Sequence, residues 1–325
     1  MRSWGYRASA LAAGLAGMML AGSALAADVT LKLGHLANED NIWHKAAMKF
    51  AEEVEALSEG RVAVQIFPNE SLGKEMDLIN GMQLGTADMT ITGESLQNWA
   101  PMAALLAVPY AYTSLEDMDA VAGGEIGDQI EAQILAKAQV RPIAYFARGP
   151  RNLTANRPLT SPDELKGLKM RVPNVPLFVN VWQTLGAQPT PMAFSEVFTS
   201  LQNGTIEAQE NPLALIKSAS FAEVQDYVNL TEHVRSWIYL VISELTWSRL
   251  SAEDQEAVME AARRAQAYER DLFLADEEKL VADLEAAGME FVTVDQAAFA
   301  AKAKDAVLAS VSDEIRPVVE RLFAE

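Results

Sequence analysis

The chain has 325 residues, half of them apolar, and a formal net charge of −19. An apolar fraction this high excludes a disordered chain, and the negative charge excludes a nucleic-acid-binding protein, because the phosphate backbone repels it. The length exceeds that of a typical single domain, so we expect two lobes.

The first 26 residues have the layout of a secretory signal peptide. Arg2 and Arg7 give a positive start, residues 11–25 are apolar, and residues 24–26 supply the small residues of a cleavage site. The apolar run is shorter than the about 20 residues of a membrane span. We therefore expect cleavage after Ala26 and export to the periplasm. The chain contains no cysteine, so its stability must come from burial alone.

The mature chain begins with the pattern of a βαβ unit. Alternating apolar residues predict a strand over 29–33, and helical spacing predicts a helix over 40–58. A strand over 62–66, a helix over 74–84 and a strand over 87–92 follow. Strands separated by helices predict a parallel sheet with right-handed crossovers.

An internal echo links the two halves of the chain. Residues 83–88 (QLGTAD) match residues 202–207 (QNGTIE), and each copy leads into a short strand that reaches Glu94 or Glu210-Asn211. The echo favours two similar lobes whose strands end at a shared cleft, where open α/β sheets bind ligands. Common helix-capping chemistry explains a Gly-Thr pair equally well.

The second half is predicted to contain shorter elements. In chain order they are a strand over 140–147, a turn over 148–151, a helix opened by Ser161, a strand over 169–172, a helix over 176–185, an extended piece over 189–191 and a helix capped by Ser195. Residues 251–287 then form one helical pattern, roughly 50 Å long at 1.5 Å per residue. Such a helix must bridge both lobes or kink between them.

Two arginines lie in predicted non-helical positions. Arg151 follows a Gly-Pro turn, and Arg171 lies inside an apolar strand. A buried arginine needs an anionic partner, and its guanidinium fork matches a carboxylate. A structural salt bridge explains Arg171 as well as ligand binding does, and it is the better explanation of Arg151.

Four further side chains are candidates for the cleft. Asn211 offers an amide donor or an Asx turn. Phe194 and Trp237 suit either an apolar wall of the cleft or the core. His35 follows a strand end and can face the cleft.

Sequence motifs for metal binding and catalysis are absent. The three histidines lack metal-ligand spacing, so we expect no metal and no cofactor. The chain has no nucleophile elbow, phosphate loop or His-Glu-x-x-His pair. A secreted carboxylate-based enzyme remains an alternative function, because the catalytic acids of glycosidases lack a compact sequence motif.

Taken together, these segments resemble the substrate-binding proteins of tripartite ATP-independent periplasmic (TRAP) transporters, the DctP-type family. The segments that carry the resemblance are PRN at 150–152, LKGLKMRVPN at 165–174, PTPMAFSEV at 189–197 and QENP at 209–212. The long late helix is also family-like, so the resemblance covers essentially the whole mature chain. It implies an α/β periplasmic binding protein fold in two lobes bridged by the long helix. We place lobe I at 27–148 plus about 235–275, and lobe II at 149–234 plus about 276–325.

The resemblance also implies roles for site residues. Arg171 would grip a ligand carboxylate, Asn211 would add an amide donor, Arg151 would be a second positive contact, and Phe194 would lie beside the ligand. Positions matching Glu94 and Asn174 touch the sugar acid in sialic-acid-binding members of the family.

Two departures from the sialic-acid-binding members argue against sialic acid itself: Trp237, and the loop at 35–40. A sugar acid such as an aldonate or a uronate is therefore expected, with a C4-dicarboxylate, a keto or hydroxy acid, or a sulfonate as alternatives. The family implies a receptor without bond chemistry, which closes around its ligand and docks on membrane permease subunits. We expect the receptor to be a monomer. A receptor that presents its ligand to a membrane kinase is a further alternative.

Overall fold

The computed structural model describes Met1 and residues 27–324. The predicted signal peptide, with its cleavage site after Ala26, lies outside the described residues. Within residues 27–324, no helix is both long enough and apolar enough to cross a membrane.

The described residues form eleven strands in two sheets. In chain order they are β1 Val29–Gly34, β2 Val62–Phe67, β3 Met89–Thr92, β4 Val140–Ala147, β5 Arg151–Ala155, β6 Lys169–Val172, β7 Gln188–Pro191, β8 Ala208–Pro212, β9 Tyr227–Val234, β10 Trp237–Ser243 and β11 Glu290–Val292.

Helices cover the faces of both sheets. The α-helices are α1 Ile42–Leu57, α2 Glu75–Leu84, α3 Leu115–Ala122, α4 Glu125–Ala138, α5 Pro176–Thr184, α6 Val197–Gln202, α7 Leu213–Ser218, α8 Glu244–Trp247, α9 Ala252–Ala286, α10 Gln296–Ser310 and α11 Arg316–Leu322. Short 3₁₀ helices lie at Glu94–Asn98, Pro101–Ala107, Pro162–Leu165, Phe194–Glu196 and Phe221–Glu223.

The first sheet has the strand order β2-β1-β3-β10-β4. β1 pairs in parallel with β2 and β3, as the βαβ pattern predicts. β10 lies antiparallel between β3 and β4, so the sheet as a whole is mixed and the predicted parallel pairing holds for its first three strands. The sheet is mixed because β10 returns from the second lobe and enters the sheet in the opposite direction.

The second sheet has the order β11-β9-β5-β8-β6-β7 and is also mixed. The first of its strands in chain order, β5, begins at Arg151, where the sequence pattern predicts only a turn. β5 lies antiparallel to β8 and β9, while β6 is parallel to β7 and β8. The two sheets, each with its own helices, form the two lobes of the molecule.

The long helix α9 bridges the lobes, as predicted. It is one α-helix of 35 residues, and the side chain of its N-cap, Ser251, accepts a hydrogen bond from Asp254 N. Val258 and its neighbours pack in the core cluster of the first sheet, whereas Leu280 and Leu284 pack in a cluster of the second lobe. A single rigid element therefore belongs to both cores.

The internal echo has a structural counterpart. Gly85 ends α2 with a φ angle of 76°, and Gly204 lies in the turn after α6 with a φ angle of 73°. Both angles are in the left-handed region, which suits glycine. β3 and β8 follow and run towards the gap between the lobes. Ser195, in contrast, does not cap a helix as predicted. It lies inside a 3₁₀ helix, and its backbone N–H donates to Glu70 Oε2 of the first lobe at 3.1 Å.

Candidate functional site

A cavity of about 400 Å³ lies between the lobes. Its walls are built by the ends of β3, β6 and β8 and by the segments that follow β4 and β7. Six of the eight residues singled out from the sequence line it: Glu94, Arg151, Arg171, Asn174, Phe194 and Asn211. These residues come from distant parts of the chain and meet only because the strands of both sheets end at this gap.

Arg171 is a cavity arginine that has no carboxylate partner among the described side chains. Strand β6 holds it between β7 and β8 with 4% of its surface exposed. Its Nε and Nη2 donate to the Met192 carbonyl at 2.9 and 2.8 Å, and its guanidinium carbon lies 5.8 Å from the centroid of the Phe194 ring. The Met192 contact uses one edge of the guanidinium and leaves the edge formed by Nη1 and Nη2 for a ligand.

The charge of Arg171 is not balanced by a neighbouring carboxylate. Among the described side chains, no Asp or Glu oxygen lies within 4.0 Å of its guanidinium, whereas Arg151 pairs with Glu94 and Glu210. Burial lowers the pKa of Arg171 to about 10, while the charge of Glu210 opposes that shift. The guanidinium therefore stays protonated at neutral pH and presents a desolvated positive charge to the cavity.

Arg151 is in a different electrostatic position. Its Nε and Nη2 donate to the two carboxylate oxygens of Glu210 at 2.5 and 2.8 Å, and its Nη1 lies 3.3 Å from Glu94 Oε1. Glu94 also pairs with Arg148. The structural ion pair is thus present at Arg151, as the sequence reading allowed, although the residue also lines the cavity.

The buried carboxylates of this network are held ionised. Burial opposes the ionisation of Glu210, but Arg151 and a hydrogen bond from His233 outweigh it and hold the pKa of Glu210 at about 2. Burial likewise opposes ionisation of Glu94, and Arg148 and Arg151 lower its pKa. The pKa of His233 is lowered by burial, so the neutral imidazole donates through Nε2 to Glu210 at 2.9 Å.

The two asparagines offer amide groups from the second lobe. Asn211 is buried in β8 and donates one amide hydrogen to Gln209 Oε1 at 2.6 Å, which leaves the other hydrogen for the cavity. The backbone carbonyl of Asn174 accepts a hydrogen bond from Asn98 of the first lobe at 2.7 Å, so Asn174 lies where the lobes meet.

Two of the singled-out residues lie outside the cavity lining. Trp237 is 1% exposed and packs in the core with its ring centroid 5.9 Å from that of Tyr112. Its place in β10 turns the side chain to the core face of the sheet. His35 is also buried, with its Nε2 3.2 Å from His44 Nδ1. Burial lowers the pKa of His35 to about 4, so it is neutral at physiological pH.

The cavity also contains charged residues that the sequence reading did not single out: Glu70, Lys74, Glu75, Asp77, Arg148 and Glu196. Arg148 stands in the same Arg-Gly-Pro-Arg turn as Arg151, directly after the buried strand β4, and this position marks it as a candidate for the cavity. Lys74 and Glu196 pair across the lobes at 2.6 Å. No sequence pattern connects these two residues, because their pairing depends on how the lobes meet.

The arrangement suits binding of an anion by hydrogen bonds and charge. One desolvated guanidinium, amide donors and an apolar wall including Phe194 surround a space large enough for a small organic molecule. Within the described residues, no group of three or more His, Cys, Asp or Glu side chains could hold a metal ion.

The fold and the cavity together define a two-lobed solute-binding protein. The family model of the bacterial extracellular solute-binding proteins, family 7 (DctP), matches residues 33–314. The chain belongs to this family. A solute-binding protein of Roseobacter denitrificans is 72% identical over 306 residues, 93% of each chain. The 2,3-diketo-L-gulonate-binding periplasmic protein of Escherichia coli K12 is 34% identical over 85% of each chain.

Solved structures give the same result. A TRAP periplasmic solute-binding protein from Roseobacter denitrificans with bound L-galactonate matches with a TM-score of 0.91 and 72% identity, covering 92% of this chain and 99% of that one. A TRAP periplasmic solute-binding protein from a Bradyrhizobium species, in complex with D-galacturonate, matches with a TM-score of 0.86 and 32% identity, covering 91% and 100%. The family and these relatives are solute-binding proteins.

Proposed function

We propose that this chain is the periplasmic receptor of a TRAP transporter and that it binds a sugar acid, an aldonate or a uronate, in the cavity between its lobes. The observation that carries the proposal is the unbalanced guanidinium of Arg171, which is buried and faces the cavity. Relatives with bound L-galactonate and D-galacturonate support this ligand class.

In this proposal the acid group binds the free edge of Arg171, since a guanidinium and a carboxylate form two parallel hydrogen bonds. Asn211 and Asn174 contribute polar contacts, and Phe194 covers an apolar face of the ligand. Arg151 contributes positive potential rather than a free donor edge, because Glu210 occupies its fork. Glu94 faces the ligand from the first lobe.

The ligand acts by favouring the closed state. It touches both lobes at once, so its binding energy is fully available only when they are closed. The closed receptor then docks on the membrane permease subunits. Export through the signal peptide of residues 1–26, a monomeric state and the lobe boundaries given above stay predictions.

We further propose that the chain performs no bond chemistry. Glu94 in the cavity and Glu210 beside it are held in ion pairs with arginines, so both stay ionised and neither can act as a general acid. Prolonged incubation with L-galactonate, followed by NMR, should show unchanged ligand. Turnover would contradict the receptor proposal and favour a carboxylate-based enzyme.

The ligand class is tested by thermal unfolding against a panel of acids. The panel contains L-galactonate, D-galacturonate and D-erythronate beside succinate, a keto acid and a sulfonate. A ligand at a hundred times its Kd stabilises the folded state by about 2.7 kcal/mol, so sugar acids should raise the Tm by several degrees. A rise with succinate or the sulfonate alone would contradict the proposed ligand class.

A further inference from the structure

The loop after β2 contains a strained turn at the edge of the cavity. A hydrogen bond from Ser71 N to the Pro68 carbonyl at 3.0 Å closes the turn, and its two central residues, Asn69 and Glu70, have φ angles of 58° and 55°. Asparagine adopts this left-handed region readily, whereas glutamate does so at a cost in free energy. Backbone strain persists only where the surrounding structure enforces it, and it clusters at functional sites.

The first lobe enforces this turn through its backbone. Asn69 N donates to the Ala37 carbonyl at 3.0 Å, and Glu70 N donates to the His35 carbonyl at 3.0 Å. Both acceptor residues are buried, so the turn is fixed to the core of the first lobe. The backbone position of Glu70 therefore does not depend on the second lobe.

The side chain of Glu70 reaches across to Ser195 of the second lobe. Its Oε2 accepts a hydrogen bond from the backbone N–H of Ser195 at 3.1 Å and another from the Ser195 hydroxyl. Hydrogen bonds to an ionised acceptor are stronger than those between neutral groups. Glu70 and Ser195 thus form a clasp between the lobes, beside the ion pair of Lys74 and Glu196.

The segment that contains Ser195 also orients Arg171. The carbonyl of Met192 accepts from Nε and Nη2 of Arg171 at 2.9 and 2.8 Å, and the Phe194 ring centroid lies 5.8 Å from the guanidinium carbon. Residues 192–195 therefore carry both the groups that position the guanidinium and the group that the first lobe holds. Holding Ser195 against the first lobe also restrains the two groups that position Arg171.

We propose that Glu70 is a positioning residue, which couples closure of the lobes to the grip of Arg171 on the ligand through its clasp on Ser195. The inference rests on the proposed function and deepens it, by naming a contact that retains the bound ligand. The clasp joins opposite lobes, so it exists only in the closed state. It should slow ligand release and leave entry unchanged, because the ligand enters the open state.

Stopped-flow kinetics with L-galactonate separate release from entry, and Trp43 in the cavity lining provides a fluorescence signal. The variant Glu70→Ala should raise the dissociation rate constant at least about fivefold, because it removes hydrogen bonds to a charged acceptor. Its association rate constant should stay within about twofold of the wild-type value. An unchanged dissociation rate, or a change confined to association, would overturn the inference.

A double-mutant cycle with Ser195→Ala distinguishes the clasp from a direct contact between Glu70 and the ligand. Ser195→Ala removes the hydroxyl and keeps the backbone N–H, so it should accelerate release less than Glu70→Ala does. The double variant should release ligand no faster than Glu70→Ala alone, because the two residues act through one contact. Additive effects would overturn the clasp. Should Glu70→Ala not fold, unchanged release in Ser195→Ala would overturn it equally.

The matched control is Glu59→Ala. Glu59 is an exposed glutamate of the first lobe with a left-handed φ of 52°, and it lies outside the cavity lining. Its variant should keep both wild-type rate constants. Equally accelerated release in Glu59→Ala would overturn the role of Glu70 and leave the receptor function intact. Failure of the wild type to bind L-galactonate, D-galacturonate or D-erythronate would instead overturn the proposed function, and this inference with it.

Discussion

At the residue scale, the site depends on the difference between two buried arginines. Both Arg151 and Arg171 are almost fully buried in the second sheet. Glu210 lies on the strand next to Arg151 and neutralises it, whereas the guanidinium of Arg171 donates to the Met192 carbonyl and lies over the Phe194 ring. The sequence could not separate them, because strand pairing decides which carboxylate reaches which arginine.

The role of Arg171 is tested by a graded pair of substitutions. Arg171→Ala should weaken L-galactonate binding by about 2–5 kcal/mol, the usual cost of truncating one partner of a buried charge pair. Arg171→Lys should lose at least about tenfold in affinity, because an ammonium cannot form the two parallel hydrogen bonds. Titration calorimetry measures both.

Arg157 supplies the matched control, because it is an exposed arginine of the same lobe. Arg157→Ala should bind with wild-type affinity, and circular dichroism should be unchanged in all variants. Wild-type affinity in Arg171→Ala would rule out the proposed role. Full affinity in Arg171→Lys would reduce that role to simple charge attraction.

At the element scale, the sequence predicts some elements to within a residue and misses others, among them the buried strand β10. The strand predicted over 140–147 and the helix predicted over 251–287 agree with β4 and α9 to within a residue. β10 goes unpredicted, because all seven of its residues are buried and no alternation marks it. Its antiparallel insertion also makes the first sheet mixed, which local patterns cannot show.

The bridging helix α9 carries a buried carboxyl group at the point where the first sheet ends. Glu269 is fully buried, and its Oε2 accepts from Ala147 N at 3.0 Å, just before the chain passes to the second lobe. Burial raises the pKa of Glu269 from 4.5 to about 8. The folded protein therefore keeps a proton on Glu269 in a pH range where the unfolded chain has lost it.

The stability of the fold should consequently depend on pH. The stabilising contribution of the proton is complete below about pH 4.5 and is lost as the pH rises towards 8. Denaturant unfolding at pH 5 and pH 8 should show the wild type losing at least about 1 kcal/mol from this group. The variant Glu269→Gln, which carries no titrating proton, should lose less free energy of unfolding between pH 5 and pH 8.

The exposed Glu256 on the same helix provides the control. Glu256→Gln should keep the pH dependence of the wild type. If Glu269→Gln also keeps the wild-type pH dependence, the buried carboxyl is not the source of that dependence.

At the scale of the whole molecule, the cavity exists because two lobes meet at a rim of polar contacts. Asn38 Nδ2 donates to the Ser218 carbonyl at 2.6 Å, and Lys74 pairs with Glu196. Isolated surface ion pairs contribute about 0–1 kcal/mol each. Such contacts are weak enough to open for ligand entry, and a ligand that bridges the walls adds the remaining free energy of closure.

Two lobes, their bridging helix and the central arginine could be predicted from length, periodicity and the family-like segments. The wall that the first lobe contributes to the cavity could not be predicted. Glu75 hydrogen-bonds with Thr92 and Arg148 pairs with Glu94. Each partner is more than fifteen residues away in the chain, so only the folded arrangement brings these groups together.

The measurement that tests the central claim most directly is a crystal structure of the protein with L-galactonate. We predict the sugar acid between the two sheets, with its carboxylate within hydrogen-bond distance of Nη1 and Nη2 of Arg171. A ligand whose carboxylate lies on Arg151 or Lys74 instead, or one bound outside the cavity, would contradict the account.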